Sequence, residues 1–318
     1  PLAFRAGTSL TVTTLDHPVA TPPTTERANV ARRPGPFKRL KDVWEHRELL
    51  GNLVRKELKV KYTASVLGAV WSVLNPVVFL AVFAFVVRVT GNSFPDFPIY
   101  LLAGLLPWNL FSASVTAGTR SVIDNANLVK KVAFPHEILP LAAIGVALVD
   151  FVLQSAVLLV AIVVSGHALV LPGLLLYPLA VLALLAFTTA VTLWLSALNV
   201  RYRDVQHLLS IGLLVWFWFT PIVYSGALVQ RALDGRAFAG LPLWDLFLVN
   251  PMAGIAFGFQ RALYGVVAPA GVDAPVLPTV SVGWLAGVLA AAVVASLLLL
   301  RFTWGRFFDR SGDFAEDL

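Results

Sequence analysis

Residues 120–137 (RSVIDNANLVKKVAFPHE) form a short polar segment between two long apolar stretches. An Asp-Asn pair can cap the start of a helix there, apolar side chains follow at helical spacing, and a proline ends it. Two lysines add positive charge near the C-terminal end of that helix, where it is favourable. We interpret the segment as a rigid handle for a soluble partner, with a solvated surface helix as the alternative. The expected contact residues are Asp124, Asn125, Leu128, Lys130, Lys131, Phe134 and Pro135.

The sequence lacks the motifs of catalysis and of energy supply. It has no G-x-x-x-x-G-K-[ST] loop for nucleotide phosphates, no G-x-S-x-G nucleophile elbow and no H-E-x-x-H metal site. Cysteine is absent and the five histidines have no ligand spacing, so we expect neither a metal site nor a bound cofactor. The protein is therefore expected not to be an enzyme, and another subunit is expected to supply energy for any work.

The composition is that of an integral membrane protein, because 58% of the 318 residues are hydrophobic and only 13% are charged. A helix needs roughly 20 apolar residues to cross a hydrocarbon core of about 30 Å. Six stretches are long enough, and the sequence therefore predicts an all-α integral membrane fold. The predicted spans are 66–89, 99–118, 138–165, 172–198, 208–224 and 280–302.

Basic residues predict the orientation of these spans. Of the 24 Lys and Arg residues, only Arg88, Arg231, Arg236 and Arg261 fall on one side of such a bundle. The positive-inside rule then places both termini in the cytoplasm. The net charge of +6 is thus mainly a topology signal, and we expect no nucleic-acid partner.

The predicted spans are flanked by polar segments. Residues 1–36 are rich in Thr, Pro and Arg without the apolar run of a signal peptide, which predicts a disordered cytoplasmic tail. Residues 37–62 place apolar side chains at helical spacing among many charges. They predict one or two amphipathic helices along the membrane surface, with a cytosolic helical cap as the alternative. The membrane domain covers 63–310, and 311–318 form a short cytoplasmic tail.

Two polar residues, Asp150 and Gln154, lie one helical turn apart inside the third predicted span. Polar groups within a membrane are costly unless they face the interior of the bundle. They contact either a substrate or a neighbouring helix, and we favour the interhelical hydrogen bond.

Aromatic residues are concentrated in the predicted spans. Sugar rings stack on aromatic faces, which suits a carbohydrate path, but an aromatic belt facing lipid explains the same pattern. The candidates for a glycan path are Trp71, Trp108, Phe111, Trp216, Trp218, Phe219 and Tyr224.

Between the fifth and sixth predicted spans, residues 242–248 and 251–264 have the pattern of two short amphipathic helices. They are separated at an Asn-Pro pair, because proline suits a first helical position and restricts the residue before it. Both ends lie on the outer side, so we expect helices that enter the membrane and return. The candidate gate and headgroup residues are Trp244, Asn250, Phe257 and Arg261.

Taken together, several motifs resemble the polysaccharide-export branch of the ABC-2 permeases, to which teichoic-acid exporters are closely related. In chain order they are RELL at 47–50, RKELKVKY at 55–62, LGAVWSVLNP at 67–76, KVAFP at 131–135, LNVRYRDV at 198–205, TPIVY at 220–224 and VNPM at 249–252. The resemblance covers about residues 38–310, and its strength lies in the shared order of many short motifs.

The resemblance implies a homodimer of six-span subunits in the bacterial inner membrane, joined by two copies of a separate cytoplasmic ATPase that binds ATP and Mg. Its substrate would be a polyprenyl-pyrophosphate-linked glycan, such as O-antigen or a cell-wall galactan, moved outward. Residues 37–62 would be its interface helix, 120–137 its coupling helix and 242–264 its re-entrant gate helices. Arg261 would lie near the carrier pyrophosphate or lipid headgroups.

Three alternatives remain at this point. Teichoic-acid export and efflux of small lipophilic drugs would use the same fold. A membrane-embedded glycan-processing enzyme belongs to another functional class and would act without an ATPase.

Reversing the charges at Lys130 and Lys131 tests the handle. We expect Lys130→Glu with Lys131→Glu to lower glycan export or ATPase coupling, because charges at an interface rim guide partner binding. The measurements are export and stimulated ATP hydrolysis, with membrane insertion as the control. Unchanged coupling in a correctly inserted variant would contradict the handle interpretation.

Overall fold

The computed structural model describes residues 35–63, 70–89, 94–132, 134–269 and 275–318. Within them the chain forms helices and one short antiparallel hairpin, in which β1 Ala237–Phe238 pairs with β2 Leu241–Pro242. The described helices are α1 Pro36–Glu45, α2 Arg47–Thr63, α3 Val70–Val89, α4 Phe97–Asp124, α5 Ala126–Lys131, α6 Ile138–Ser165, α7 Leu171–Leu174, α8 Leu176–Arg201, α9 Val205–Trp218, α10 Gly226–Leu233, α11 Leu243–Leu248, α12 Pro251–Leu263, α13 Val282–Ser311 and α14 Phe314–Asp317.

Four helical stretches in the described part of the chain are long and apolar enough to cross a membrane. They are α4, α6, α7 with α8, and α13, and they match the second, third, fourth and sixth predicted spans. Two of them extend beyond the predicted ends at 118 and 302, since α4 continues to Asp124 and α13 to Ser311. Both α4 and α13 therefore continue as helices beyond the ends of their apolar segments.

The first and fifth predicted spans correspond to α3 and α9. Helix α9 has 14 residues, which reach only about 21 Å at the usual rise per residue. Its predicted end at residue 224 is wrong, because the helix stops at Trp218 and Pro221 follows shortly after. The total of six spans stays a prediction.

Helices α4 and α8 form the centre of the bundle, with α6 packed on α4 and α13 packed on α8. The contact between α4 and α8 includes small and polar side chains, as is common between membrane helices. Asn199 on α8 is fully buried, and its amide donates a 2.9 Å hydrogen bond to the Thr119 carbonyl of α4. Large apolar side chains on α3, α6, α9 and α13 are exposed, which leaves faces suited to lipid or to a second subunit.

The buried apolar residues form two clusters. The larger cluster runs through α4, α6, α8, α12 and α13. The smaller one unites α2, the last turns of α4, α8 and α13, the start of α6, and both α5 and α14. We call the region around the smaller cluster the basic end, since the Lys- and Arg-rich helix α2 and the pair Lys130–Lys131 lie there.

The predicted amphipathic segment consists of two helices, α1 and α2, separated at His46. Helix α2 lies against α6, where Leu53 is buried. The approach is close at Gly145, because a Cβ atom there would be 2.7 Å from a methyl carbon of Val54. The apolar side of α2 is therefore packed on the bundle, and its position at the membrane surface stays a prediction.

The favoured interpretation of the polar pair in the third span is confirmed. The Gln154 Oε1 atom accepts a 2.9 Å hydrogen bond from the Asn109 amide of α4. Asp150 instead connects α6 to the end of α2, since its carboxylate lies 2.6 Å from Lys61 Nζ and accepts a 2.8 Å hydrogen bond from the Tyr62 hydroxyl. Both residues thus join helices within the subunit.

We expect Lys61→Ala and Asp150→Ala each to destabilise the detergent-solubilised protein by about 1 kcal/mol, because each breaks a polar contact between helices. A double-mutant cycle of unfolding free energies measures the coupling between the two side chains. The matched control is Lys56→Ala, since Lys56 is exposed on the same helix and pairs only with its neighbour Glu57 among the described residues. Strictly additive effects of Lys61 and Asp150 would contradict a direct interaction.

Candidate functional site

The coupling segment, residues 120–137, contains the end of α4, all of α5 and the connection to α6. Residue 133 lies outside the described residues. Asp124 belongs to the last turn of α4 and lies 3.7 Å from the Arg120 guanidinium, with both side chains exposed. Asn125 occupies the N-cap position of α5 but its side chain does not cap it. The predicted cap is wrong because the Asn125 amide donates backward, to the Ser121 carbonyl at the end of α4.

Helix α5 has one face on the bundle and one face free. Val129 is buried in the smaller cluster, and Leu128 packs against that cluster with part of its surface exposed. Lys130 and Lys131 are exposed. The segment therefore presents two lysines while its apolar side chains connect it to α2, α6, α8 and α13.

Aromatic rings support the second half of the coupling segment. Phe314 is 1% exposed and meets Phe307 edge-to-face, with ring centroids 5.3 Å apart. His136 lies 6.0 Å from the Phe314 ring and 5.3 Å from the Phe134 ring. This row of rings connects the end of α13, through α14, to the coupling segment, so the segment is held by residues that are distant in sequence.

The start of α6 adds a polar contact to this support. Glu137 is buried, and its carboxylate accepts a 3.3 Å hydrogen bond from the Trp304 indole of α13. Burial lowers the pKa of His136 below its ordinary value, although the Glu137 charge and a backbone hydrogen bond with Ser311 act in the opposite direction. A lowered pKa favours the neutral imidazole at pH 7, so His136 adds little positive charge beside the two lysines.

Two cavities flank the coupling segment. One, of about 210 Å³, lies among α2, α4 and α6 and is lined by charged groups that include Glu57, Lys61 and Arg120. The other, of about 270 Å³, lies between α1, the connection before α6 and the end of α13, where Arg39 and His136 line it. The segment thus has room on both sides, either for side chains of a partner or for its own displacement.

Two of the predicted glycan-path residues are buried in the protein core, and a third packs against it. Trp108 and Phe111 are buried on α4, and the Trp216 ring packs 5.2 Å from Phe111. Phe187 stacks on Phe111 at 5.5 Å and also lies 6.0 Å from the Trp216 ring. In this arrangement these rings fix α9 against α4 and α8, and their contact with a glycan stays a prediction.

The remaining aromatic candidates lie nearer the surface. Trp218 and Phe219 are 55% and 64% exposed, so they are open to lipid, to a second subunit or to a ligand. Tyr224 is partly buried, and its hydroxyl donates a 2.7 Å hydrogen bond to the Trp218 carbonyl. The side chain of Trp71 lies outside the described residues, although its backbone belongs to α3.

The gate candidates surround the junction of α11 and α12. Asn250 caps α12 by accepting a hydrogen bond from the Met252 amide, and the same oxygen accepts one from the Trp216 indole at 2.8 Å. Its amide donates to the Phe219 carbonyl. Asn250 therefore connects α9 with α12, which sequence reasoning missed because the two helices are separated by more than 30 residues.

Trp244, Phe257 and Arg261 line one small cavity beside the start of α13. Phe257 is buried, whereas Trp244 and Arg261 are partly exposed. The two helices lie close to the predicted positions, at 243–248 and 251–263, and their re-entrant role stays a prediction. Among the described residues, no three His, Cys, Asp or Glu side chains are grouped closely enough to hold a metal ion.

Comparison with known proteins identifies relatives of this chain. The sequence profile described as ABC-2 type transporter matches residues 48–231. The O-antigen export system permease protein RfbA of Myxococcus xanthus is 34% identical over 231 residues, covering 71% of this chain and 84% of that protein. Two proteins of the same name from Klebsiella pneumoniae are 32% and 31% identical, covering 58% and 67% of this chain and 71% and 79% of their own lengths. The resemblance inferred from the ordered motifs is thereby confirmed.

We expect Phe314→Ala to loosen the coupling segment without unfolding the bundle. Removing a buried phenylalanine ring costs about 3 kcal/mol in a core, enough to detach the short helix α14. Amide hydrogen exchange in α5 should then accelerate, while exchange in the centre of α8 should stay slow. The matched control is Phe302→Ala, because Phe302 is 55% exposed on α13. Unchanged exchange in α5 of the Phe314 variant would show that α14 does not support it.

Proposed function

The chain belongs to the ABC-2 type transporter family, and on that premise we propose that it is the membrane-spanning subunit of an ATP-driven polysaccharide exporter. Its substrate is a polyprenyl-pyrophosphate-linked glycan of the O-antigen or cell-wall galactan type, moved from the cytoplasm across the inner membrane. The observation that carries this proposal is the 34% identity to an O-antigen export permease over 71% of the chain. Relatives of that name favour a glycan over a small lipophilic drug or teichoic acid.

Membership of this family implies an ABC ATPase subunit as the source of energy. The chain itself has no phosphate-binding loop, so ATP and Mg are bound by two copies of that partner. The coupling segment is the contact on this chain, because it presents Lys130 and Lys131 while Val129 anchors it in the smaller cluster. With the basic end in the cytoplasm, the segment faces the compartment that holds the ATPase.

The packing of the segment gives a route for force. Helix α5 follows α4 after a single residue and leads into α6 after a short connection. Displacement of α5 by the closing ATPases therefore acts on the ends of α4 and α6, which are packed on each other. The cavities of about 210 and 270 Å³ beside the segment leave space for this movement.

The glycan passes between two copies of the chain. The exposed apolar faces of α3 and α9 supply surfaces for a second copy, and Trp218 and Phe219 on this side supply aromatic faces for sugar rings. The hydrogen bond between Trp216 and Asn250 connects α9, which carries this aromatic surface, to α12. Arg261 on α12 is the basic group available to the carrier pyrophosphate or to lipid headgroups.

Deleting the gene and restoring it tests this function. We expect the deletion to stop the appearance of glycan on the cell surface and to trap the lipid-linked glycan on the inner leaflet, because no other subunit provides the path. Surface glycan is measured by immunoblot, and the trapped form by its resistance to periplasmic glycosidase. The wild-type chain should restore export only together with an ATPase that retains its phosphate-loop lysine.

Two results would contradict the proposal. One is normal surface glycan in the deletion strain. The other is turnover of the glycan by the purified chain without an ATPase, which would make the protein a glycan-processing enzyme.

A further inference from the structure

At the end of the bundle opposite to the basic end, His167 connects three parts of the chain. It lies in the turn between α6 and α7, and its side chain is only 3% exposed. Its Nδ1 atom lies 2.7 Å from the Asp96 carboxylate, just before α4. Its Nε2 atom lies 2.8 Å from the Tyr264 carbonyl, at the end of α12. One buried imidazole thus touches the start of α4 and the end of the second candidate gate helix.

Both neighbours of the imidazole are hydrogen-bond acceptors. A carbonyl oxygen cannot donate, and a carboxylate at neutral pH cannot either. A neutral imidazole has one N–H and satisfies only one of them, whereas an imidazolium donates to both. The geometry therefore suits the protonated ring. A neutral ring would keep its proton toward the charged Asp96 and turn a lone pair toward the Tyr264 carbonyl.

The backbone and the side chain of Asp96 make separate contacts. Asp96 has φ 55° and ψ 29°, a left-handed conformation that Asp and Asn adopt more readily than other residues besides glycine. It stands at the N-cap position of α4, yet its side chain makes no capping hydrogen bond. Its carboxylate instead lies against His167. The Asp96 side chain is thus used for the contact with the imidazole, while its carbonyl accepts hydrogen bonds from the Ile99 and Tyr100 amides of α4.

The end of α12 is held by packing as well as by this hydrogen bond. The Tyr264 ring stacks on the His167 ring, with centroids 5.5 Å apart and planes 16° apart, and its hydroxyl donates to the Pro95 carbonyl. Gly173 of α7 lies so close to the Arg261 carbonyl that a Cβ atom would clash with it. The end of α12 is thus connected to both the start of α4 and the turn before α8.

We propose that His167 is a positioning residue which, as an imidazolium, holds the end of α12 to the start of α4, and that loss of its proton releases this end. The proposal rests on the proposed function only for its consequence, which is control of an exit by proton concentration on the outer side. Protonation of the imidazole completes both hydrogen bonds, and deprotonation removes the one to Tyr264. The contact should therefore weaken as the pH rises.

The charged and titratable groups around His167 come from each element packed on it. Asp96, just before α4, and Tyr264, just after α12, contact the His167 side chain directly. Tyr100 of α4 packs on the Tyr264 ring, and Arg261 lies in the last turn of α12. Burial raises the pKa of Tyr264 to about 12, and the negative charge of Asp96 contributes to this increase. The phenol therefore stays neutral at the pH values of the test below. Arg261 stays cationic and donates to the Gly265 carbonyl. Tyr264 and Arg261 therefore keep their charge state, and the contact that the test addresses is the one that His167 makes with Asp96 and with the Tyr264 carbonyl.

The test uses the full chain in lipid nanodiscs, without glycan or ATPase. The chain has no cysteine, so Val266→Cys introduces a single thiol just beyond α12. Nitrogen-15 NMR of the histidine rings reports the protonation of His167, assigned by the loss of its signals in His167→Asn. Thiol labelling at residue 266 reports the release of the α12 end. We expect both signals to change together across a pH series, with labelling about tenfold faster after deprotonation, the factor expected when a hydrogen bond from a charged donor is lost.

Variants distinguish a proton-dependent contact of His167 from a purely structural role. His167→Asn should label fast at every pH, because the shorter amide has both N–H groups on one nitrogen and cannot span the two acceptors as the imidazolium does. His207→Asn is the matched control, since His207 is exposed at the start of α9 and should leave the pH profile unchanged. Should His167→Asn fail to fold, Asp96→Asn removes the counter-charge instead and should raise labelling at the same pH.

A ring that is neutral across the pH series while labelling stays slow would overturn the proposal, as would slow labelling in folded His167→Asn. Neither result depends on export, so each leaves the proposed function standing. Conversely, normal surface glycan in the deletion strain would overturn the proposed function and leave the proton-dependent contact intact.

Discussion

The close packing of α4 against α6 and α8 is the contact on which the other parts of this protein depend. Helix α4 is buried along most of its length, because α6, α8 and α12 pack around it. Hydrophobic burial supplies little drive between helices within a membrane, so contact there depends on small residues and hydrogen bonds. The amide of Asn199 bonded to the Thr119 carbonyl is such a contact. A central helix held in this way can connect events at its two ends.

The two ends of α4 are held by different kinds of interaction. At the basic end, α4 leads into α5, and apolar and aromatic side chains from α2, α6, α13 and α14 hold the coupling segment. At the opposite end, hydrogen bonds between Asp96, His167 and Tyr264 join α4 to α12. The first kind consists mainly of apolar and aromatic packing, to which the hydrogen bond between Trp304 and Glu137 is added. The hydrogen bonds at the opposite end depend on the proton of one imidazole, so in our proposal they respond to pH.

The aromatic residues that the sequence grouped together as a glycan path differ in their burial. Trp108 and Phe111 are buried in the core and Trp216 packs against it, whereas Trp218 and Phe219 are exposed. Helical spacing could not distinguish them, because neighbouring residues on a helix point in different directions and the position of the partner helices decides which direction is buried. Phe314 and Trp304 gave no local signal either. Their partners His136 and Glu137 are more than 160 residues away in the chain.

The sequence by itself determined the class of protein, the apolar helices and the family. Length and hydrophobicity of a segment are local properties, and the ordered motifs require no knowledge of contacts. It also located the polar coupling segment and favoured a hydrogen bond for Gln154. Only the tertiary structure decided that Asp150 pairs with Lys61, that Asn250 joins α9 to α12, and that His167 lies between two acceptors. Each of these depends on the approach of distant helices, and the energy of such contacts is set by distance and burial, which one-dimensional spacing does not contain.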